Sequence, residues 1–159
     1  MCRQVWDQYF VHKDAQISFL EVDGACAEKY RASVNRGTIY VGSQEEPAVL
    51  QNIVDRNPDG FNIIVDDGGH TMKQQQDTFK ALWPILRPGG LYVIEDLETS
   101  YIQNLPSQRP QYQSAGYDRT TNFLKSFLDT LNCSRANVTC MNVSRMECAA
   151  EICLIQKKM

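Results

Sequence analysis

The sequence predicts an α/β protein, a mostly parallel sheet packed between helices and closed at its C-terminal end by an antiparallel hairpin. Three observations predict it. Residues 61–94 carry two short apolar runs, Phe61–Val65 and Leu91–Ile94, separated by a helical pattern and a turn at Arg87-Pro88-Gly89-Gly90. Two buried-type strands joined by a helix make a βαβ unit, and such units build parallel sheets. Two more strand-helix alternations precede this unit, and two strand-like runs close the chain. Alternation of this kind specifies an α/β sandwich.

Taken in order, Val5, Trp6, Tyr9 and Phe10 recur at helical spacing and predict a short helix over 3–12. Gln16–Val22 reads as a strand with Asp23-Gly24 as its turn, Ala25–Ser33 as a helix, and Gly37 as the stop. Thr38–Val41 is a second strand. Pro47–Asp55 is a helix with proline suited to its first turn, and Asn57-Pro58-Asp59-Gly60 is a loop. In the helix of the central unit, Met72, Phe79, Leu82, Trp83 and Leu86 share one face, while Lys73, Gln74, Asp77 and Lys80 face away. Residues 103–118 form the longest irregular stretch, rich in Pro, Gln and Ser and carrying Tyr112 and Tyr117. A long loop leaving such a strand reads as a substrate lid. Phe123, Leu124, Phe127, Leu128 and Leu131 mark an amphipathic helix. Val138–Val143 and Cys148–Ile155 then form the hairpin, joined around Ser144–Glu147.

The 159 residues suffice for one domain with a core, and neither a repeat nor a boundary divides 1–159. The net charge of −3 and the absence of any Lys/Arg-rich run speak against a nucleic-acid partner. No apolar run approaches the ~20 residues of a membrane helix, and the N-terminus lacks the apolar core of a signal peptide. A cytoplasmic location is the expectation, although Asn132, Asn137 and Asn142 each open a glycosylation-type triplet. None of the six cysteines forms a Cys-x-x-Cys pair, so reduced, buried thiols are expected rather than zinc or disulfides. Lys157-Lys158 reads as a solvated tail.

Chemistry concentrates where the strands of the central unit end. Ligands of open α/β sheets bind beyond the carboxyl ends of the strands. One end here carries Asp66-Asp67-Gly68-Gly69-His70 and the other Glu95-Asp96. Either aspartate could cap the following helix. The second acid pair at the neighbouring strand end favours a functional cluster, in which one of Asp66 and Asp67 caps and the other binds metal.

The strings Asp66–Met72, Leu86–Leu97 and Thr99-Ser100-Tyr101 together resemble the class I S-adenosylmethionine-dependent methyltransferases. Within these, they are similar to the metal-dependent sugar O-methyltransferases of macrolide biosynthesis. The resemblance implies a Rossmann-like fold, S-adenosylmethionine and Mg2+ as cofactors, and a small-molecule hydroxyl acceptor. It implies magnesium ligands at Asp67, Glu95 and Asp96, and a general base at His70. It places cofactor contacts at Glu21, Ser43, Gln44 and Asp66, and a substrate contact at Tyr101. Ser43 stands where the family has aspartate. The family's opening strand and glycine-rich loop have no counterpart before Trp6, and that strand would be the central one of the sheet. The expectation is therefore a domain incomplete at its N-terminus, weakly active or inactive by itself. An unpaired sheet edge would invite a second copy, so a homo-oligomer is among the expectations. Two other readings stay open: a divalent-metal hydrolase or hydroxylase-like enzyme, and a non-catalytic binding or scaffold protein that keeps the acids.

Overall fold

The computed structural model describes residues 6, 8–32, 34, 36–101, 114–131 and 142–159. The helix expected over 3–12 and the lid expected over 103–118 therefore lie largely outside the described residues. Of the former, one turn is seen, with the Phe10 amide donating to the Trp6 carbonyl at 2.8 Å.

The chain opens with β1 (Phe19–Glu21), α1 (Gly24–Arg31) and β2 (Ile39–Val41), a parallel pair with its crossover helix. Asp23 caps α1, its carboxylate accepting from the amides of Ala25 and Cys26. Then follow α2 (Pro47–Arg56), β3 (Phe61–Asp66), α3 (Met72–Leu82) and β4 (Leu86–Ile94). Thr71 and Gln74 close a capping box at the start of α3, each satisfying the other's backbone amide.

β3 and β4 run parallel, and their register corrects one expectation. Phe61 pairs with Leu86 but Ile63 pairs with Leu91, so β4 advances by five residues where β3 advances by two. Arg87–Gly90 is thus a bulge inside a longer β4 rather than a turn before a short strand. Glycine is needed there because a Cβ on Gly90 would lie 2.9 Å from the Asn62 carbonyl oxygen of β3.

A 3₁₀ turn at Leu97–Ser100, α4 (Thr120–Leu131), β5 (Val143–Ala149) and β6 (Ile152–Lys157) complete the fold. The hairpin is present, but its turn lies at Ala150-Glu151, with Glu151 left-handed at φ 68, and Ser144–Glu147 belong to β5. Pairing to the antiparallel β6 decides this, because it keeps Val143, Met146 and Cys153 on the core side. The same register sets Cys148 opposite Cys153, which form a disulfide. Reduced thiols were expected here; spacing alone did not reveal that the two side chains face each other across a hairpin. Cys26 is the free thiol among the described residues.

The core gathers on Phe79, which meets the rings of Tyr92 at 4.8 Å, Trp83 at 5.0 Å, Phe127 at 5.1 Å and Phe123 at 5.5 Å. These contacts seat α3 and α4 on one face of the sheet formed by β3, β4, β6 and β5 in that order. Leu128, expected on the buried face of α4, is instead 50% exposed. The buried stripe of α3 is also broader than its apolar residues, since Gln75, Gln76 and Thr78 are buried too.

The sheet is divided. β1 and β2 form their own parallel pair, and β1 does not pair with β3. The break falls in the middle of the strand order, where the resemblance places the family's opening strand. On the face away from α3 and α4, Ile63 and Val65 of β3 are 40% and 36% exposed. Parallel strands are ordinarily covered on both faces, and no described helix covers these two. No helix among the described residues is long and apolar enough to cross a membrane.

Lys157 is not a solvated tail. Its ammonium is half-buried and donates to the carbonyls of Trp83 at 2.8 Å, Pro84 at 3.0 Å and Leu86 at 2.8 Å. It thereby ties β6 to the α3 C-cap, Trp83, and to the start of β4. Lys157→Met keeps the aliphatic stem and removes these donors. It should destabilise the chain by about 1–3 kcal/mol, read as a lower midpoint in urea unfolding with an unchanged slope.

Candidate functional site

The carboxyl ends of β3 and β4 lie side by side. Asp66 pairs with Ile94, and the Glu95 amide donates to the Asp66 carbonyl at 3.0 Å. The residues that follow each strand therefore emerge together.

Asp66 turns inward. Strand alternation puts its side chain on the face of Ile64, under α3. There its carboxylate accepts from the Tyr92 hydroxyl at 3.1 Å and the Gln44 Nε2 at 3.1 Å. Burial pushes its pKa up to about 7, against the opposing pull of hydrogen bonds from Gln44, Tyr92 and the Gly68 amide. Asp66 is buried, whereas Asp67 lies beyond the strand and exposed.

The turn Asp67–His70 is shaped by two glutamines. Gln44 accepts from the Gly69 amide at 2.7 Å and donates its second Nε2 hydrogen to Thr78 Oγ1 at 3.1 Å. A Cβ on Gly68 would sit 2.2 Å from Gln44 Oε1, and one on Gly69 would sit 2.2 Å from Gln74 Oε1. The glycine pair is present because two carboxamides reach into the space where side chains would be.

His70 Nδ1 lies 3.0 Å from Asp96 Oδ2. With its Nδ1–H donated to this carboxylate, a neutral His70 carries its lone pair on Nε2. Asp96 is held in the left-handed region at φ 54, and its carbonyl accepts from the Thr99 amide and hydroxyl. A left-handed non-glycine residue is costly, and such residues cluster at functional sites.

Burial pushes the Glu95 carboxyl above its usual value, and the charges of Asp67 and Asp96 add to the push. Three carboxylates thus crowd one opening, with hard oxygen donors of the kind magnesium prefers. Among the described residues, however, no three side chains of His, Cys, Asp or Glu converge closely enough to hold a metal ion as they stand. The donor set fits a divalent cation in type and charge, and the Asp96 oxygen that would serve it is shared with His70.

The other expected site residues are more scattered. Glu21 ends β1, and one of its oxygens accepts from the Asp23 amide at 2.9 Å. The Ser43 hydroxyl accepts from the Glu45 amide at 3.2 Å within its own turn. Tyr101 follows the 3₁₀ turn, 46% exposed, with the Arg119 guanidinium 5.6 Å from its ring centre.

Sequence reasoning missed Tyr92 and the bracing by Gln44, for which no local signal exists. It also missed the Thr71–Gln74 capping box, which a Thr-x-x-Gln pattern does signal. A third omission is a clamp on α3. The Tyr117 hydroxyl donates between both Asp77 oxygens, each at 2.8 Å, and Lys73 pairs with Asp77 at 2.8 Å. Gln76 donates to the Asp118 carbonyl, and the Lys73 amide to Ser114 Oγ. Residues 114–119 are thereby fastened along α3.

No protein-family model matches the chain. MycE methyltransferase from the mycinamycin biosynthetic pathway, solved in complex with Mg, SAH and mycinamycin VI, superposes with a TM-score of 0.64 at 24% identity. The match covers 98% of this chain and 48% of that one. The O-methyltransferase TomG from Streptomyces achromogenes, solved with SAM, gives 0.60 at 15% identity. The fold is that of the S-adenosylmethionine-dependent methyltransferases.

In sequence, the homologues of the chain are sugar O-methyltransferases of the macrocin, tetracenomycin and mycinamicin types. It is 45% identical to demethylmacrocin O-methyltransferase of Streptomyces fradiae over 74 residues, 46% of this chain and 18% of that protein. It is 38% identical over 110 residues to 8-demethyl-8-alpha-L-rhamnosyl tetracenomycin-C 2'-O-methyltransferase of Streptomyces olivaceus, 67% of this chain and 27% of that one. Mycinamicin VI 2''-O-methyltransferase of Micromonospora griseorubida is 37% identical over 90 residues, 57% and 22%. These matches span about a fifth to a quarter of the length of the curated relatives.

The α3 clamp has a pH signature. Burial tends to raise the Asp77 carboxyl, but the Lys73 ammonium and the Tyr117 hydroxyl outweigh it and hold the pKa below the usual value. A carboxylate depressed by folding contributes stability that is complete above its unfolded pKa and is lost as pH falls through the folded value. Asp77→Asn should therefore cost stability at neutral pH and flatten the acid-side decline, read from urea midpoints between roughly pH 2 and 6. An unchanged acid limb would remove the clamp from the account.

Proposed function

We propose that this chain carries the acceptor-activating part of an S-adenosylmethionine-dependent O-methyltransferase that methylates a sugar hydroxyl on a small molecule. The observation that carries the reading is the His70–Asp96 pair beside Asp67 and Glu95 at two adjacent strand ends. The homologues and the MycE superposition support it from outside the site.

Bound S-adenosylmethionine would supply an electrophilic methyl group, and a divalent ion would draw electron density from the acceptor hydroxyl. The residues of this chain do the rest. Asp67 and Glu95, with Asp96, would provide the oxygen ligands, and a cation there would offset the Asp67 and Asp96 charges that add to the effect of burial on Glu95. With Nδ1 turned to Asp96, His70 Nε2 would accept the proton of the acceptor hydroxyl as the methyl group is transferred. Asp96 holds the imidazole in the required tautomer and stabilises the imidazolium that results. By the family resemblance, Glu21 at the end of β1 would accept from a ribose diol, Ser43 would lie on the adenine side and Tyr101 would line the acceptor's place. Transfer with inversion needs the three reacting atoms in line, so much of the rate rests on how firmly these groups are held.

A second reading, a non-catalytic protein that keeps the acids, draws on the carboxylates not converging as they stand and on the divided sheet. Calorimetric titration of S-adenosylmethionine, with and without Mg2+, separates the two. The proposal expects binding, and, with a rhamnosylated polyketide as acceptor, turnover that falls about 10²–10⁴-fold in His70→Asn. No heat of binding from a chain that circular dichroism shows to be folded would overturn the proposal and leave the second reading.

A further inference from the structure

We infer that Gln44 is a positioning residue for His70: its carboxamide, bonded at once to Asp66, Thr78 and the Gly69 amide, sets the course of the Asp67–His70 turn and so the aim of the imidazole. The inference rests on reading His70 as the base, but its test does not. It goes beyond the cofactor contact that Gly42-Ser43-Gln44 suggests by resemblance.

Both Nε2 hydrogens of Gln44 are engaged, one on Asp66 Oδ1 and one on Thr78 Oγ1, each at 3.1 Å. Its Oε1 accepts from the Gly69 amide at 2.7 Å. A carboxamide offers two donors and an oxygen with two lone pairs, so one lone pair remains for anything else. The chemistry demands this side chain. Asp66 presents an acceptor and Gly69 a donor, and a single group must answer both. Glutamate would set a second carboxylate against Asp66, methionine would answer neither, and asparagine is a methylene shorter. The chain has made room for the contact, because Gly68 lacks the Cβ that would lie 2.2 Å from Gln44 Oε1. His70 follows Gly69 directly, and its Nδ1 must reach Asp96 on the other strand end. Neighbouring contacts act in the same direction: Glu45 accepts from Lys73 Nζ through its carbonyl, at 3.3 Å, and approaches Thr71 Oγ1 at 3.4 Å. The turn after β2 therefore holds the turn after β3, although their strands belong to different sheets.

The test reads the imidazole itself. The chain has two histidines, so ¹⁵N imidazole spectra at a fixed pH, free of cofactor and metal, report His70 with His12 as internal reference. Gln44→Met should shift the His70 tautomer balance, leave His12 unchanged, and speed Gly69 amide exchange at least about fivefold, the scale of one lost hydrogen bond. Gly68→Ala expels the same carboxamide from the other side and should give the same His70 signature. The double variant should add nothing further, as two changes acting through one contact do. Thr78→Val removes a Gln44 partner without touching the turn and should leave His70 as it was. If Gln44→Met does not fold, Gly68→Ala carries the test alone. His70 nitrogen shifts that stay at parental values in the folded variants would overturn the inference, as would an equal shift in Thr78→Val. Either result is independent of S-adenosylmethionine titration, so failure of this inference and failure of the methyltransferase reading remain distinguishable.

Discussion

A carboxylate buried at the end of a strand has to be met by donors, since an unmet charge in a protein interior costs several kcal/mol. Asp66 imposes that demand on the end of β3. The donors that meet it come from three separate parts of the chain: Tyr92 from β4, Gln44 from the turn after β2, and the Gly68 amide from the turn that follows. Because the demand is local and the donors are distant, satisfying Asp66 draws these parts into one place. The site is arranged around a residue that is itself buried.

The acids that face outward owe their arrangement to this inward one. With Asp66 turned under α3, the next residue, Asp67, emerges from the sheet. The glycines after it are short enough for the two glutamines to lie across the turn. His70 then meets Asp96 at the neighbouring strand end. Burial raises the Glu95 carboxyl, and the neighbouring charges of Asp67 and Asp96 add to it, so the three outward acids share one crowded opening. The hydrophobic core plays the supporting part: Phe79 and its four aromatic neighbours seat α3 and α4 on the sheet. Lys157 ties β6 to the α3 C-cap and the start of β4 through the carbonyls of Trp83 and Leu86.

The divided sheet gives the polar contacts unusual weight. Where strands pair, backbone ladders hold neighbouring elements together; β1 and β3 have no such ladder between them. Side-chain bonds from Gln44 to Asp66 and the Gly69 amide, and from Lys73 to the Glu45 carbonyl, join the turn after β2 to the end of β3, the turn after it and α3 instead. Ile63 and Val65 stand partly exposed on the face of β3 that a second helical layer would cover.

Much of this was legible from residue order alone. Periodicity identified β1 to β3, α1, α2 and α4 to within a few residues, because alternation and the 3.6-residue repeat are local properties, whereas Leu86, read on the face of α3, opens β4. The acids at both strand ends and His70 were visible as a pattern, but which of Asp66 and Asp67 turns inward was not. What tertiary structure decided was partnership. Gln44 meets Gly69 across 25 residues and Tyr92 meets Asp66 across 26, and no local rule links such positions. The bulge at Arg87–Gly90, the hairpin turn at Ala150-Glu151 and the Cys148–Cys153 bond likewise follow from register between strands. Sequence by itself determined which chemistry the strand ends carry; packing decided which of those groups turn inward to hold the site and which turn outward to act, because burial and pairing are properties of the assembled chain.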